Sequence, residues 1–146
     1  MIAITPNKAE MREIKRTLRS LEKHMTPPEM RKVMGNLSAV MAEDVHYNFD
    51  HDRTFDDQRM PKLKSATIKH KQKIGKTTKL FISGFLQKIQ IKVTSTMAMI
   101  FSPARYALPL NDRQKHGAPF KFMGFGKRLL KKIDTELKHW MDKLGR

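Results

Sequence analysis

The sequence contains no cysteine, and this absence excludes several ways of stabilising a fold or performing chemistry. Disulfides and thiolate metal sites are ruled out, and so is catalysis by a cysteine nucleophile. The composition fits a reducing compartment.

Long apolar segments are also missing. The longest uninterrupted run, MAMIF at 97–101, is far shorter than the roughly 20 residues that span a bilayer. The N-terminal MIAITPNKAEM has no apolar core of signal-peptide length. We therefore expect a soluble, unexported chain without a membrane partner. Repeats, Gly/Ser linkers and low-complexity tracts are absent too, so residues 1–146 are predicted to form a single domain.

Acidic residues are scarce in the second part of the chain. Residues 1–57 hold nine Lys and Arg against ten Asp and Glu, whereas residues 58–146 hold 21 against four. The formal net charge is +16, which is large enough to attract polyanions. The pattern indicates that the basic surface belongs to the second part.

The N-terminal part, residues 1–46, is predicted to be helical. Thr5-Pro6 offers a start for a first helix, whose apolar residues recur at spacings of three and four: Met11, Ile14, Leu18 and Leu21. A second helix begins at Thr26, which forms a capping box with Glu29. Its apolar stripe comprises Met30, Val33, Met34, Leu37, Met41 and Val45.

The middle part, residues 47–79, is predicted to be mainly a polar and then basic loop. YNFDHDRTFDDQRM shows neither helical nor strand periodicity, and a short helix over 65–74 ends at Gly75. A second short element of uncertain type is expected over 80–89.

The last part, residues 80–146, is predicted to contain a β-hairpin, a further strand and a C-terminal helix. Alternation in 89–93 and 97–101 around the turn TST indicates the hairpin, and APFKFMGF indicates the strand. Helical spacing predicts a final helix through Leu130, Ile133, Leu137, Trp140 or Met141, and Leu144. The fold class is therefore α+β: a small antiparallel sheet with two N-terminal helices and a C-terminal helix packed on it.

No motif supports catalysis, a metal or a cofactor. GKTT at 75–78 resembles the end of a phosphate-binding loop, but His70 stands where that loop requires glycine. GFGKRLL lacks the third glycine of a dinucleotide fingerprint, and no Gly-x-Ser-x-Gly elbow exists. The polar segment with His46, Asp50, His51 and Asp52 matches no zinc or calcium spacing. We predict a protein that is not an enzyme.

Two charged patches are candidates for binding. Seven lysines could face DNA or a partner protein: Lys62, Lys64, Lys69, Lys71, Lys73, Lys76 and Lys79. An acidic patch precedes them: Asp50, Asp52, Asp56 and Asp57. Acids of one subunit meeting lysines of the next would give a head-to-tail contact that closes into a ring. The alternative is neutralisation within one chain.

The order of several short segments resembles the phage virion morphogenesis proteins, also called tail-completion proteins. The resemblance runs from about residue 45 to the end, and the family's tryptophan is replaced at Arg59-Met60. Leu80, Ile82, Leu110, Ala118, Pro119 and Met123 also follow the pattern. The residues that carry it are Pro61, Leu63, Lys64, Thr67, Ser83, Gly84, Leu86, Tyr106, Ala107, Gly117, Phe120, Phe122 and Gly124. Turns are expected at Gly84, Gly117 and Gly124, and core positions at Phe85, Phe120, Phe122 and Trp140.

The resemblance implies a structural protein at the tail top or neck of a tailed phage, present in the virion and in the host cytoplasm during assembly. Such a subunit would finish the tail and help to join it to the DNA-filled head. A hexameric ring around the DNA channel, contacting other neck and tail proteins, is implied by analogy. The alternative function is a small basic protein that binds DNA or RNA nonspecifically.

Overall fold

The computed structural model describes residues 8–62, 65–75, 86–105, 107, 111 and 120–145. These residues form an α+β arrangement, as predicted, in which helices pack against a two-stranded antiparallel sheet. The elements are α1 (Lys8–His24), α2 (Pro27–Asp50), α3 (Ser65–Lys73), β1 (Gln90–Val93), β2 (Ala98–Phe101) and α4 (Lys127–Leu144).

A first hydrophobic core forms where α1, α2 and α4 pack together. Each helix buries the apolar stripe that its sequence predicts, including Leu21 of α1, Val33 of α2 and Leu137 of α4, all of which have no exposed surface. Burying a leucine or valine side chain stabilises a fold by about 1.5–3 kcal/mol. The predicted C-terminal helix is therefore confirmed, with Trp140 and Met141 half-buried at the edge of the core.

The start of α2 is the predicted one, but its end is not. The Glu29 carboxylate accepts hydrogen bonds from the Thr26 backbone amide at 2.7 Å and from the Thr26 hydroxyl at 2.8 Å, so the capping box is present. The helix continues to Asp50, so the prediction of a loop from residue 47 was wrong for its first turn. Burial of Phe49, at 2% exposure, extends the apolar stripe by one more turn.

The predicted hairpin is confirmed, and it packs on α2. Ile91 pairs with Ile100 and Val93 with Ala98, while the Thr94 amide donates to the Met97 carbonyl at 2.8 Å across the turn. Ile100 contacts both the first core and a second hydrophobic core, so the two cores meet beneath the sheet.

The second core lies between the end of α2, the hairpin and the segment before α4. Phe49 stacks on Phe122 with ring centroids 5.0 Å apart, and Phe120 is also buried. The expectation that Phe120 and Phe122 belong to the core is confirmed. A strand over this segment was a wrong prediction for residues 120–125, because Lys121 adopts a left-handed conformation with φ of 44°.

Helix α3 lies within the predicted range 65–74, and Gly75 follows it in the left-handed conformation with φ of 69°. Glycine adopts this conformation without steric cost, which explains why the helix ends there. Of the element expected over 80–89, residues 80–85 lie outside the described residues, and 86–89 contain no helix or strand.

Candidate functional site

The most densely connected polar site is centred on Arg128, in the first turn of α4. Its guanidinium donates to the Asp44 carboxylate at 2.8 Å, to the Asp57 carboxylate at 2.6 Å and to the Asn48 amide oxygen. The same group lies 4.2 Å above the centroid of the Tyr47 ring. One side chain therefore joins α2, the loop after α2 and α4.

Burial and charge oppose each other at this arginine. Burial disfavours the charged form, but the hydrogen bond and charge of Asp44, followed by Asp57 and Tyr47, outweigh it and raise the pKa of Arg128 above its usual range. Asp44 is 1% exposed, whereas the Asp57 side chain is 60% exposed. The Asp44–Arg128 pair is the buried part of the site, and Asp57 lies on its solvent-facing side.

The neighbouring groups complete this network. The Asn48 amide also donates to the Phe122 carbonyl at 2.9 Å, and Asp57 reaches Arg128 from a left-handed turn with φ of 65°. The guanidinium, the two carboxylates and the amide of the cluster are each engaged by another of these groups or by the backbone, an arrangement that stabilises the fold. Sequence reasoning missed this cluster. The available signal was Asp44 and Asn48 spaced four residues apart on the buried side of α2.

Four residues of the resemblance pattern meet in the second core. Leu86, Ala107, Phe120 and Phe122 are all buried there, although long stretches of sequence separate them. Met60, where the family often has an aromatic residue, is 3% exposed in the same core. Pro61, Thr67 and Gly124 are partly buried. The remaining members lie outside the described residues: Leu63, Lys64, Ser83, Gly84, Tyr106 and Gly117.

Gly124 and Gly126 allow the segment 51–60 to approach α4 closely. A β-carbon on Gly124 would overlap the Phe55 ring, and one on Gly126 would overlap the Phe55 carbonyl oxygen. The Phe55 amide donates to the Lys121 carbonyl at 2.8 Å in the same contact. Gly124 lies at a bend of the chain, in the region where a turn was expected, and it also permits this close packing.

A buried asparagine holds the segment before α4. Asn111 is 2% exposed; its amide donates to the Met123 carbonyl at 3.3 Å and its side-chain oxygen accepts from the Met123 amide at 3.0 Å. This pairing replaces the strand partner that residues 120–125 lack within the described part of the chain. Nothing in the surrounding sequence distinguishes Asn111 from a loop residue.

The acidic patch is largely engaged within the chain. Asp57 binds Arg128, and Asp56 lies 3.8 Å from the Lys121 amine. Asp52 is close enough to Lys71 to oppose the fall in the pKa of that amine. Asp50 is exposed at the end of α2. For three of the four residues the geometry favours neutralisation within one chain.

The seven lysines do not share one environment. Lys62, Lys69 and Lys73 are exposed, whereas Lys64, Lys76 and Lys79 lie outside the described residues. Lys71 is 3% exposed, so its predicted outward-facing role was wrong, and burial lowers the pKa of its amine. Lys71 lies two residues from both Lys69 and Lys73 in α3. The helical periodicity therefore places Lys71 on the buried face while the other two lysines remain exposed.

Helix α1 carries a basic surface that is not evident from the net charge of residues 1–57. Its exposed face presents the α1 basic stripe, defined by Arg12, Lys15, Arg16, Arg19 and Lys23. The near-neutral charge of residues 1–57 therefore does not describe this face, and the basic surface is not confined to the second part of the chain.

No metal site is found where histidines and acids are dense in sequence. His51 stacks on Tyr47 at a centroid distance of 4.1 Å, and its Nδ1 lies 3.0 Å from the Tyr47 carbonyl oxygen. Among the residues that the structure describes, no three His, Asp or Glu side chains are grouped closely enough to hold an ion.

Within the described ranges, no helix combines the length and apolar composition needed to cross a bilayer. Comparison of the chain with protein-family models, with curated proteins and with solved structures finds no match.

Proposed function

We propose that the chain is a non-catalytic assembly subunit of a tailed bacteriophage, which completes the tail and helps to join it to the DNA-filled head. The observation that carries this proposal is the convergence of the resemblance pattern on one core. Leu86, Ala107, Phe120 and Phe122 are spread over 37 positions, and they pack together with Met60. A pattern of packing residues that forms a single core supports a shared module rather than a chance similarity.

The charged groups fit a structural role. Asp44 and Arg128 satisfy each other inside the fold, and an arginine held in this way acts as a clamp between segments. The proposal assigns catalysis to no residue and requires no cofactor.

The proposed partners are further copies of the chain and the neighbouring neck and tail proteins. A ring around the DNA channel, six-fold by analogy, would place the subunit at the tail top in the virion after assembly in the host cytoplasm. Because Asp52, Asp56 and Asp57 have basic neighbours within the chain, the inter-subunit contact is proposed to involve exposed Asp50 and the exposed lysines instead.

The test is to delete the gene from the phage genome that encodes the chain and to examine the particles by electron microscopy. We expect filled heads without tails or tails of uncontrolled length, and restoration when the protein is supplied in trans. Normal, infectious particles formed without the protein would contradict the proposal.

Nonspecific nucleic-acid binding by a solitary protein is the second candidate function, favoured by the exposed basic side chains of α1 and α3. Mass measurement separates the two candidates. A solitary binder stays monomeric, whereas an assembly subunit forms a discrete oligomer alone or with its tail partner.

A further inference from the structure

The basic side chains and the buried apolar side chains of α1 lie on opposite faces of the helix. The α1 basic stripe recurs at intervals of three, one, three and four residues, which places all five side chains on one face. Ile14 and Leu21, on the opposite face, are buried in the first core. The helix is therefore anchored by one side and presents its cations on the other.

Two acids of α1 have described side chains, and neither forms an ion pair with the stripe. Glu13 lies close enough to α4 for its charge to contribute to raising the pKa of Lys138, and Glu22 lies at the edge of the stripe, beside Lys15 and Arg19. Within the described part of the chain, the ion pairs involve Arg128, Lys121 and Lys138 rather than any stripe residue.

A surface depression of about 640 Å³ runs along the stripe. Its described lining consists of the five stripe residues with Ser20 and His24, so hydrogen-bond donors predominate. From Arg12 to Lys23 the helix rises by about 16 Å, at roughly 1.5 Å per residue. A single small anion would occupy only one end, whereas one DNA strand, at about 3.4 Å per phosphate, places about five phosphates along that length.

The composition of the stripe distinguishes among extended anions. His24 is the one ring in the described lining of the depression, whereas single-stranded nucleic acid would need several for the stacking of successive bases. The stripe also has no apolar anchor of the kind that centres a protein interface. It also lacks the asparagine or glutamine that reads adenine edges. Insertion into a lipid surface is disfavoured because the apolar side of α1 is buried in the protein.

We propose that the α1 basic stripe binds the phosphate backbone of double-stranded DNA without reading its sequence. Three of the five residues are arginines, whose planar guanidinium groups suit bidentate contacts to phosphate. This inference goes beyond the assembly role and does not depend on it, since it concerns the purified protein and a DNA duplex; it deepens the second candidate function by assigning the binding to one surface and to duplex DNA.

The test measures binding of the full chain to a labelled 24-base-pair duplex by fluorescence anisotropy at several NaCl concentrations. Five phosphate contacts predict a slope of log Kobs against log [NaCl] of about −4.5. The triple variant Arg12→Gln, Arg16→Gln, Arg19→Gln should flatten the slope by about 2.7 and weaken binding at 0.1 M salt about five hundredfold.

The matched control is Lys127→Gln, Lys131→Gln, Lys132→Gln, which removes the same charge from exposed positions on α4. We expect less than about a threefold change in affinity for this control, because its lysines contribute only to the long-range field. The substitutions Arg12→Lys, Arg16→Lys and Arg19→Lys together should keep the slope while reducing affinity, which separates lost charge from lost folding.

Three results would overturn the inference: equal losses in the Gln variants of the stripe and of the control, a greater loss in the control, or an unchanged slope in the stripe variant. Competition by poly-glutamate as strong as by duplex DNA of equal charge would also overturn it, in favour of an acidic protein partner. Each result leaves the particle phenotype of a gene deletion unaffected, so failure here is distinguishable from failure of the proposed function.

Discussion

At the scale of single residues, Arg128 joins Asp44, Asp57 and Asn48 through hydrogen bonds and lies over the Tyr47 ring. It is mostly buried, and it faces a carboxylate that is almost completely removed from water. A buried ion pair adds little to stability compared with an apolar pair of the same shape. Removing one partner is different, because it leaves the other charge buried without compensation.

The substitution Arg128→Met should therefore lower the free energy of unfolding by about 3–5 kcal/mol, since Asp44 would remain buried without its partner. Asp57→Asn should lower it by less than about 1 kcal/mol, because that carboxylate is mostly exposed. Urea denaturation at neutral pH measures both. Similar losses in the two variants would show that Asp44 is not the buried centre of this site.

Glycine substitutions test the packing around Phe55. Gly126→Ala should reduce the free energy of unfolding by about 2–3 kcal/mol, because the added methyl group overlaps a backbone carbonyl that cannot rotate away. Gly35→Ala, within α2, meets nothing within 4 Å and should increase it by about 0.5–1 kcal/mol. Thermal and urea unfolding of the two variants should shift in opposite directions. A stabilising Gly126→Ala would contradict the close approach of the two segments.

At the scale of elements, the helix start and the hairpin that depend on residues close together in the sequence were predicted correctly. The Thr26–Glu29 capping box identified the start of α2, and alternation around 94–96 identified the hairpin. The end of α2 could not be read in this way, because Asn48 and Phe49 are held by Arg128 and Phe122, which are distant in sequence. The absent strand over 120–125 has a similar cause in Asn111 and the left-handed Lys121.

The capping box gives α2 a pH-dependent contribution. Hydrogen bonds from the Thr26 backbone and side chain lower the pKa of Glu29 in the folded state. Its stabilising contribution is therefore present above the unfolded pKa of about 4.3 and disappears as the pH falls through the lower folded value.

Wild type should accordingly have a higher urea midpoint than Glu29→Gln at neutral pH, and the difference should shrink below about pH 4.3. The difference between wild type and Gly35→Ala provides a control, because that substitution introduces no titrating group. A Glu29→Gln difference that persists unchanged to pH 2 would show that the carboxylate charge does not contribute at the cap.

At the scale of the whole molecule, charge is arranged by surface rather than by position along the chain. The lysine-rich segment is the most conspicuous basic feature of the sequence, yet its Lys71 is buried, while the residues of the α1 basic stripe alternate with acids along the sequence and share one exposed face. The helical periodicity of α1 indicates this basic face, but the net charge summed over residues 1–57 does not show it. The Arg128 cluster was harder to predict from the sequence, because its hydrogen bonds join residues that lie some 80 positions apart.

The proposed function rests on a resemblance in the order of short segments and on a core that gathers several of those residues. Under this proposal the consequence for the whole molecule is that the chain would be a component of the phage particle.

Quantitative mass spectrometry of purified infectious particles tests this consequence most directly. We predict that the chain is present in a fixed number of copies per particle, about six by analogy, and that it separates with tails or necks when particles are dissociated. Infectious particles that contain none of the chain would contradict the account.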